Sequence, residues 1–251
     1  MVLHLVLLLL IIIANVYLLT CYRRGKIHFV SDLIARMLGV SFYIIYIRYQ
    51  FYQRLDANIG FESHLQIMSW INWTLVMGLF AFFIIAYLSR ANPVMRAKGL
   101  RETLLPLICA IMPPSLLETH RLLFLPASWI HNPPKTISWE LAAFLFLVLG
   151  HLIALVGFLY LGRAFSIMTQ ARHVVQHGLY RYIRHPVYVG ESIATIGIFL
   201  GSPSRLNMVL LVGWLVAQRV RASIEERKLM SVFPTYNDYR KRTGAYFPKF
   251  W

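Results

Sequence analysis

The chain has 251 residues, 58% of them hydrophobic and only 14% charged, with a mean hydropathy of +0.59; a soluble domain carries charge on about a quarter of its residues. This balance excludes a soluble enzyme, a secreted disulfide scaffold and a disordered tail, and it puts the chain in a membrane. The formal net charge of +15 would suggest nucleic acid in a soluble protein, but its distribution among the loops reads as membrane orientation, so no nucleic-acid partner is expected.

In chain order the apolar runs fall near 1–21, 33–47, 67–88, 103–117, 139–161, 187–201 and 206–218. A hydrocarbon core of about 30 Å takes about 20 apolar residues per helix. The expected fold is therefore all-α and polytopic, with five transmembrane helices, a C-terminal helical hairpin (up to seven segments) and a cytoplasmic C-terminal helix. The first run has no basic residue ahead of it and no small-x-small cleavage pattern, and so reads as a retained helix rather than a signal peptide. Run 103–117 contains Pro106, Pro113 and Pro114, which should kink or end it. The last two runs are short and are joined by Gly201-Ser202-Pro203-Ser204, a turn composition, so they read as a tilted or re-entrant hairpin. Nineteen of the 25 Lys and Arg residues lie in one set of alternate loops and the tail, against five in the opposite loops, while Arg36 sits within a span. By the positive-inside rule the N-terminus is outside and the C-terminal tail is cytoplasmic.

Cys21 and Cys109 have neither metal-ligand nor redox spacing and read as packing residues. Trp70, Trp73, Trp129, Trp139 and Trp251 read as interfacial or packing aromatics, and His4, His64, His120 and His131 as headgroup-level residues. His173, His177 and His185 lack ligand spacing on one helix, so no metal is expected.

Polar residues near apolar helices are costly, so where they gather is informative. Between Gly162 and Ser192 the chain is dense in Arg, His and Tyr. Pro186 suits a first helical turn, where its missing N–H would be unpaired anyway, and the residues before it should be extended. Tyr188 and Glu191 then fall three apart on one face, with Gly190 beside them permitting close approach of a ligand or another helix. Glu191 is read as pairing with an Arg, contacting a polar ligand, or complementing the helix dipole. A second gathering, Glu225-Glu226-Arg227-Lys228 and then Tyr236-Asn237-Asp238-Tyr239-Arg240, lies on the tail after the last apolar run. Adjacent carboxylates point about 100° apart on a helix, so one is expected to face a site and the other solvent or an Arg. Alone, such a string is a solvated face; the two gatherings together point to one site.

Gly178-Leu179-Tyr180-Arg181-Tyr182-Ile183-Arg184-His185-Pro186-Val187-Tyr188-Val189-Gly190, followed by Glu225-Glu226 and Phe233-Pro234-Thr235-Tyr236-Asn237-Asp238-Tyr239, resembles the signature of the isoprenylcysteine carboxyl methyltransferase and phospholipid methyltransferase superfamily of membrane enzymes. The resemblance covers about residues 160–250 and implies that 139–251 is a methyltransferase core, integrated in one domain with family-variable N-terminal transmembrane helices at 1–138. It implies S-adenosylmethionine at the cytoplasmic end, enclosed by the loop before the hairpin and by the C-terminal helix. The implied pocket is Arg172, Val174, Gly178, Tyr180, Arg184, His185, Pro186, Tyr188, Gly190, Glu225 and Glu226. The cofactor's sulfonium, ammonium and carboxylate call for aromatic faces, an acid and a basic or backbone donor.

The expected reaction moves a methyl group to a lipid or amphiphilic acceptor entering from the bilayer, with Arg184, Glu191 and His151 as candidate catalytic residues. An acceptor that must lose a proton needs a base, for which His151, His185, Glu191 or a buried tyrosine is available. Arg172 falls where relatives have a histidine, and Ala154 where the prenylcysteine enzymes hold the arginine for the substrate carboxylate; the latter points away from a prenylcysteine substrate. Two alternatives stay open: a sterol-reductase-like NADPH-dependent membrane enzyme, and a non-enzymatic transporter or scaffold with His151, Glu191 and Arg36 along a path.

Overall fold

The computed structural model describes residues 2–56, 64–116, 119, 126–130, 133–134 and 136–249. The side chains of His4, His64, His120 and His131, and the whole of Trp251, lie outside the described residues. The helices are α1 (Val2–Arg23), α2 (Val30–Asp56), α3 (His64–Ser89), α4 (Gly99–Ser115), α5 (Ala127–Ile130), α6 (Ile137–Leu161), α7 (Pro186–Gly201), α8 (Arg205–Val232) and α9 (Tyr236–Arg242). Among the described residues there is no strand, only isolated bridges between Met95 and Ala171 and between Ile183 and Gly244. The protein is an all-helical integral membrane protein: α1, α2, α3 and α6 are long and apolar enough to cross a bilayer, and α7 is a shorter apolar helix.

Run 103–117 becomes α4, 17 residues that continue through Pro106 and stop at Ser115, directly after Pro113-Pro114. The end is where paired prolines remove two successive N–H donors. The larger difference is at the C-terminus. The short run 206–218 and the polar string 225–228 are halves of one continuous 28-residue helix, α8. Between them the sequence offers no proline and mostly good helix formers, so nothing ends the helix where its apolar character ends. It stops only at Phe233-Pro234. The turn before it is as expected: Ser204 caps α8, its hydroxyl accepting from the Asn207 amide at 3.1 Å.

The chain forms two compact units, Met1–Asn92 and Pro93–Trp251. Within the first, the buried Asp32 carboxylate takes Arg36 Nε and Arg90 Nη2 at 2.8 Å each, and Arg36 also donates to the carbonyls of Tyr87 and Ala91. Arg36 is thus a structural cation, neutralised where water is scarce.

Within the second unit, α6 and α7 make the closest crossing. Gly150, Ala154 and Gly157 of α6 meet Val187, Gly190 and Ala194 of α7, and Gly197 of α7 meets Ala143 and Leu147 of α6. Small residues at four-residue spacing let membrane helices approach backbone to backbone. A Cβ on Gly190 would lie 2.7 Å from the Gly150 carbonyl oxygen and 2.9 Å from Ala154 Cα. Gly190 therefore owes its identity to the neighbouring helix, and Ala154 is buried in the same contact. Gly190→Val is expected to separate the helices at a cost of about 1–3 kcal/mol or more, as overpacking does; a lowered thermal midpoint of the detergent-solubilised protein checks it. Trp139 Nε1 adds a hydrogen bond to the Leu200 carbonyl at 2.8 Å.

Candidate active site

The loop between α6 and α7 is pinned at several points. Ala171 pairs with Met95 through backbone hydrogen bonds of 3.0 and 3.2 Å, and the Thr169 amide donates to the Glu102 carbonyl at 3.0 Å. Gly178 has φ +58°, and a side chain there would also run into the ring of Tyr160, so a left-handed turn and a close approach both select glycine. Tyr180 is buried, and its carbonyl accepts from Tyr239 Oη of α9 at 2.6 Å. The chain beyond α9 then lies along the end of the loop: the Arg184 amide donates to the Gly244 carbonyl at 2.9 Å and the His185 amide to that of Ala245 at 3.1 Å. Pro186 opens α7 at its first position as expected, with His185 at φ −126°, ψ 54° before it.

Against this frame α8 presents both of its adjacent acids. Glu226 Oε1 accepts from Arg184 Nε at 2.7 Å and lies 3.0 Å from His185 Nε2, while Oε2 is 3.2 Å from Arg240 Nε. Arg184 also donates to the carbonyls of Arg240 and Thr243. Glu225 accepts from Tyr188 Oη and sits 3.4 Å from Arg221 Nε, one turn earlier on the same helix. Arg221 lies over the Tyr188 ring, 4.7 Å from its centroid, and donates to the Ile167 carbonyl at 3.1 Å. Glu191 accepts from Gln218 Nε2 at 2.6 Å, so Tyr188 and Glu191 share the face of α7 turned to α8. Of the two acids, Glu226 faces the loop and tail, and Glu225 faces an Arg, Arg221, together with Tyr188. With α7 on one side of α8 and the loop and tail on the other, two directions about 100° apart both meet partners.

Burial by itself would raise the Glu226 carboxyl, but hydrogen bonds from His185 and Arg184, and their charges, outweigh it and hold the group at about 2. His173, farther along the loop, is pushed down by burial and by Arg163, Arg172 and His177.

The aromatic side of the cluster is His185 stacked on Tyr188, centroids 5.3 Å apart and planes 3° from parallel, with the Tyr246 ring centroid 5.7 Å from that of His185 and tilted by 30°. Arg219 lies over the Tyr246 ring, 5.3 Å from its centroid. Carboxylates, stacked rings, guanidinium groups and the N-terminal turn of α7 meet here. That is the donor and acceptor set a ligand bearing both a cation and a carboxylate needs.

Of the residues singled out in the sequence, Arg184, His185, Pro186, Tyr188, Glu225 and Glu226 come together, with Tyr180 tied in through its carbonyl and Glu191 one helical turn along α7. Others sit elsewhere. Arg172 is buried in the loop and donates to Gln170 Oε1 at 2.6 Å, Val174 is half-buried two residues on, Gly178 fits against Tyr160 and Gly190 against α6. His151 is half-buried on α6, next to Gly150. Sequence reasoning missed Gln218, Arg221, Tyr246 and the role of Arg240. Gln218, Arg221 and Glu225 stand at helical spacing, a signal that is readable once α8 is taken as unbroken.

The phospholipid methyltransferase family matches residues 139–235. The chain is similar to the protein-S-isoprenylcysteine O-methyltransferase of Tribolium castaneum, 34% identical over 109 residues, which is 40% of this chain and 38% of that one. It is similar to the protein of the same name from Schizosaccharomyces pombe, 31% identical over 119 residues, 44% of this chain and 50% of that one. The nickel-cobalt-cadmium resistance protein NccN of Alcaligenes xylosoxydans xylosoxydans is 30% identical over 114 residues, 45% of this chain and 53% of that one. The chain thus spans about half, or less, of the curated relatives it matches.

Proposed function

We propose, from the match of residues 139–235 to the phospholipid methyltransferase family and the similarity to protein-S-isoprenylcysteine O-methyltransferases, that this chain is a membrane methyltransferase of that superfamily using S-adenosylmethionine. The observation that carries the reading is Glu226, which gathers Arg184, His185 and Arg240 while its neighbour Glu225 takes Tyr188. Two motifs some forty residues apart thereby form one cluster. The cofactor, when bound, supplies an electrophilic methyl group on a sulfonium sulfur.

The protein's part is to bind, orient and exclude water. The rings of His185, Tyr188 and Tyr246 offer faces to a cation, Glu225 and Glu226 offer acid to an ammonium, and Arg184 with the first amides of α7 offers donors to a carboxylate. Arg172, Val174, Gly178, Tyr180, Pro186 and Gly190 shape the loop and helix that hold these groups. The acceptor is a lipid or amphiphile reaching the site from the bilayer, with the N-terminus outside and the cofactor on the cytoplasmic side. Ala154 is packed against Gly190, which supports an acceptor other than prenylcysteine, since no cation occupies that position. An amine or thiol acceptor must lose a proton, and His151 and Glu191 are the groups available to take it.

Calorimetric titration of the purified protein with S-adenosylmethionine, S-adenosylhomocysteine and NADPH tests the class. Saturable binding of the first two alone is expected. Binding of NADPH alone turns the reading to a reductase, and silence from all three in folded protein turns it to transport or scaffolding. His151→Ala is expected to lower methyl transfer into a lipid extract by about 10²-fold or more, the weight of a general base, with cofactor affinity retained. The reverse pattern removes His151 from the acceptor side.

A further inference from the structure

A cavity of about 380 Å³ opens between the start of α4 and the second half of α8. It lies on a different face of α8 from the cluster described above: Ile224, Arg227 and Ser231 line it, whereas Glu225 and Glu226 turn to α7, the loop and the tail. Four cations line it, Lys98, Arg101, Arg227 and Lys228, with Glu102 as the acid among them. Glu102 is already engaged, because its carboxylate accepts from Lys228 Nζ and, at 2.6 Å, from the Lys98 amide. Lys228 is satisfied in turn by the carbonyls of Arg96 at 2.8 Å and Thr169 at 2.9 Å. Lys98, Arg101 and Arg227 take part in no ion pair among the described residues, and all three are exposed. The cavity thus presents three uncompensated positive charges around a rigid, neutralised floor.

A second feature begins at the same place. Along α4, Leu100, Leu104, Ile108 and Ile111 are 73%, 47%, 56% and 64% exposed, and their spacing of four, four and three puts them on one side of the helix. The apolar row runs away from the basic cavity toward the far end of α4. Basic cavity and exposed apolar row together match one molecule with an anionic head and a hydrocarbon tail. A soluble phosphate compound would use the first and leave the second bare. Basic pockets between helices at a membrane surface hold anionic lipid heads in this way.

We propose that the cleft between α4 and α8 is a binding site for an anionic phospholipid. Its phosphate is held at the mouth of the cleft by Lys98, Arg101 and Arg227, and an acyl chain passes from there along Leu100, Leu104, Ile108 and Ile111, on the side of α4 turned away from α8. The site stands apart from the methyl-transfer reading and does not depend on it. It also gives α4, interrupted by prolines and shorter than the long spans, a fixed apolar partner.

The test uses full-length protein in detergent, loaded in turn with dioleoylphosphatidylglycerol, dioleoylphosphatidylcholine or inorganic phosphate and read by native mass spectrometry. Phosphatidylglycerol is expected to be retained about 30-fold or more over phosphatidylcholine, and Arg101→Gln with Arg227→Gln is expected to remove about 30-fold, each basic contact being worth about 1 kcal/mol. Lys98→Gln reads a smaller loss, about fivefold, with a single exposed change. Leu104→Asn with Ile108→Asn weakens phosphatidylglycerol while leaving any phosphate signal alone. An unaltered gel-filtration profile and unaltered S-adenosylmethionine titration establish that the variants are folded. Equal retention of the two lipids, or retention unchanged in the basic variants, overturns the proposal. So does displacement of phosphatidylglycerol by inorganic phosphate, which marks a free-anion site.

Discussion

Glu226→Gln is expected to reduce S-adenosylmethionine affinity by about 10²-fold or more. Removing one partner of a buried ionic cluster costs about 3–5 kcal/mol because the remaining charges are left uncompensated. Here two guanidinium charges remain, those of Arg184 and Arg240, and the His185 ring meets the same carboxylate. The amide keeps the shape and one acceptor oxygen but loses the charge. Two consequences separate in measurement. Calorimetry reads the affinity, and hydrogen exchange over 236–249 reads how firmly the tail stays on the loop, since Arg184 also holds the carbonyls of Arg240 and Thr243. A looser tail with undiminished affinity takes the cofactor away from Glu226.

The pH dependence of the same contact has a definite sign. Glu226 is held at about 2 against an ordinary 4.5, so the folded state binds its proton less readily than the unfolded chain. Its contribution is complete above about 4.5 and is lost as pH falls from there toward 2. Tail protection in the native protein should therefore change little through the Glu226 carboxylate between about pH 7 and 5.

The membrane class, the hairpin at 201–204 and the helix start at Pro186 were legible because each rests on local chemistry: run length, turn residues, and a proline where a first helical turn needs no N–H. The resemblance to the superfamily was legible from the two polar strings. What escaped was where α8 ends. Hydropathy reports the solvent around a helix and not the continuity of its backbone, so the change near Gln218 read as a boundary although the helix runs on to Val232. That one misjudged boundary hid Gln218 and Arg221. Gly190 shows the converse: its smallness was legible, but its cause, the backbone of Gly150 and Ala154 on α6, lies some forty residues away. Arg240 and Tyr246 carried no signal of their own, because the tail gains meaning only when residues 244–245 pair with 184–185.

Arg221→Lys is expected to separate turnover from cofactor binding. Arg221 acts through others: its guanidinium covers the Tyr188 ring at 4.7 Å, sits 3.4 Å from Glu225 and reaches the Ile167 carbonyl. Lysine keeps the charge but not the planar fork, so it cannot stack on the ring and hold both oxygens at once. Tyr188 and Glu225 then lose their common support while Glu226, with Arg184, His185 and Arg240, stays assembled. Misplacing such groups by about 1 Å costs about 10²-fold in rate. Transfer of labelled methyl into a lipid extract should therefore fall by about that factor, while S-adenosylmethionine affinity falls less than about tenfold, the signature of an interaction made chiefly in the transition state. Adding Tyr188→Phe should cost little more, because two residues that work through one contact are not additive. Equal losses in affinity and turnover would make Arg221 part of the cofactor's binding surface. Full additivity with Tyr188→Phe would show that the stack is not what places the tyrosine.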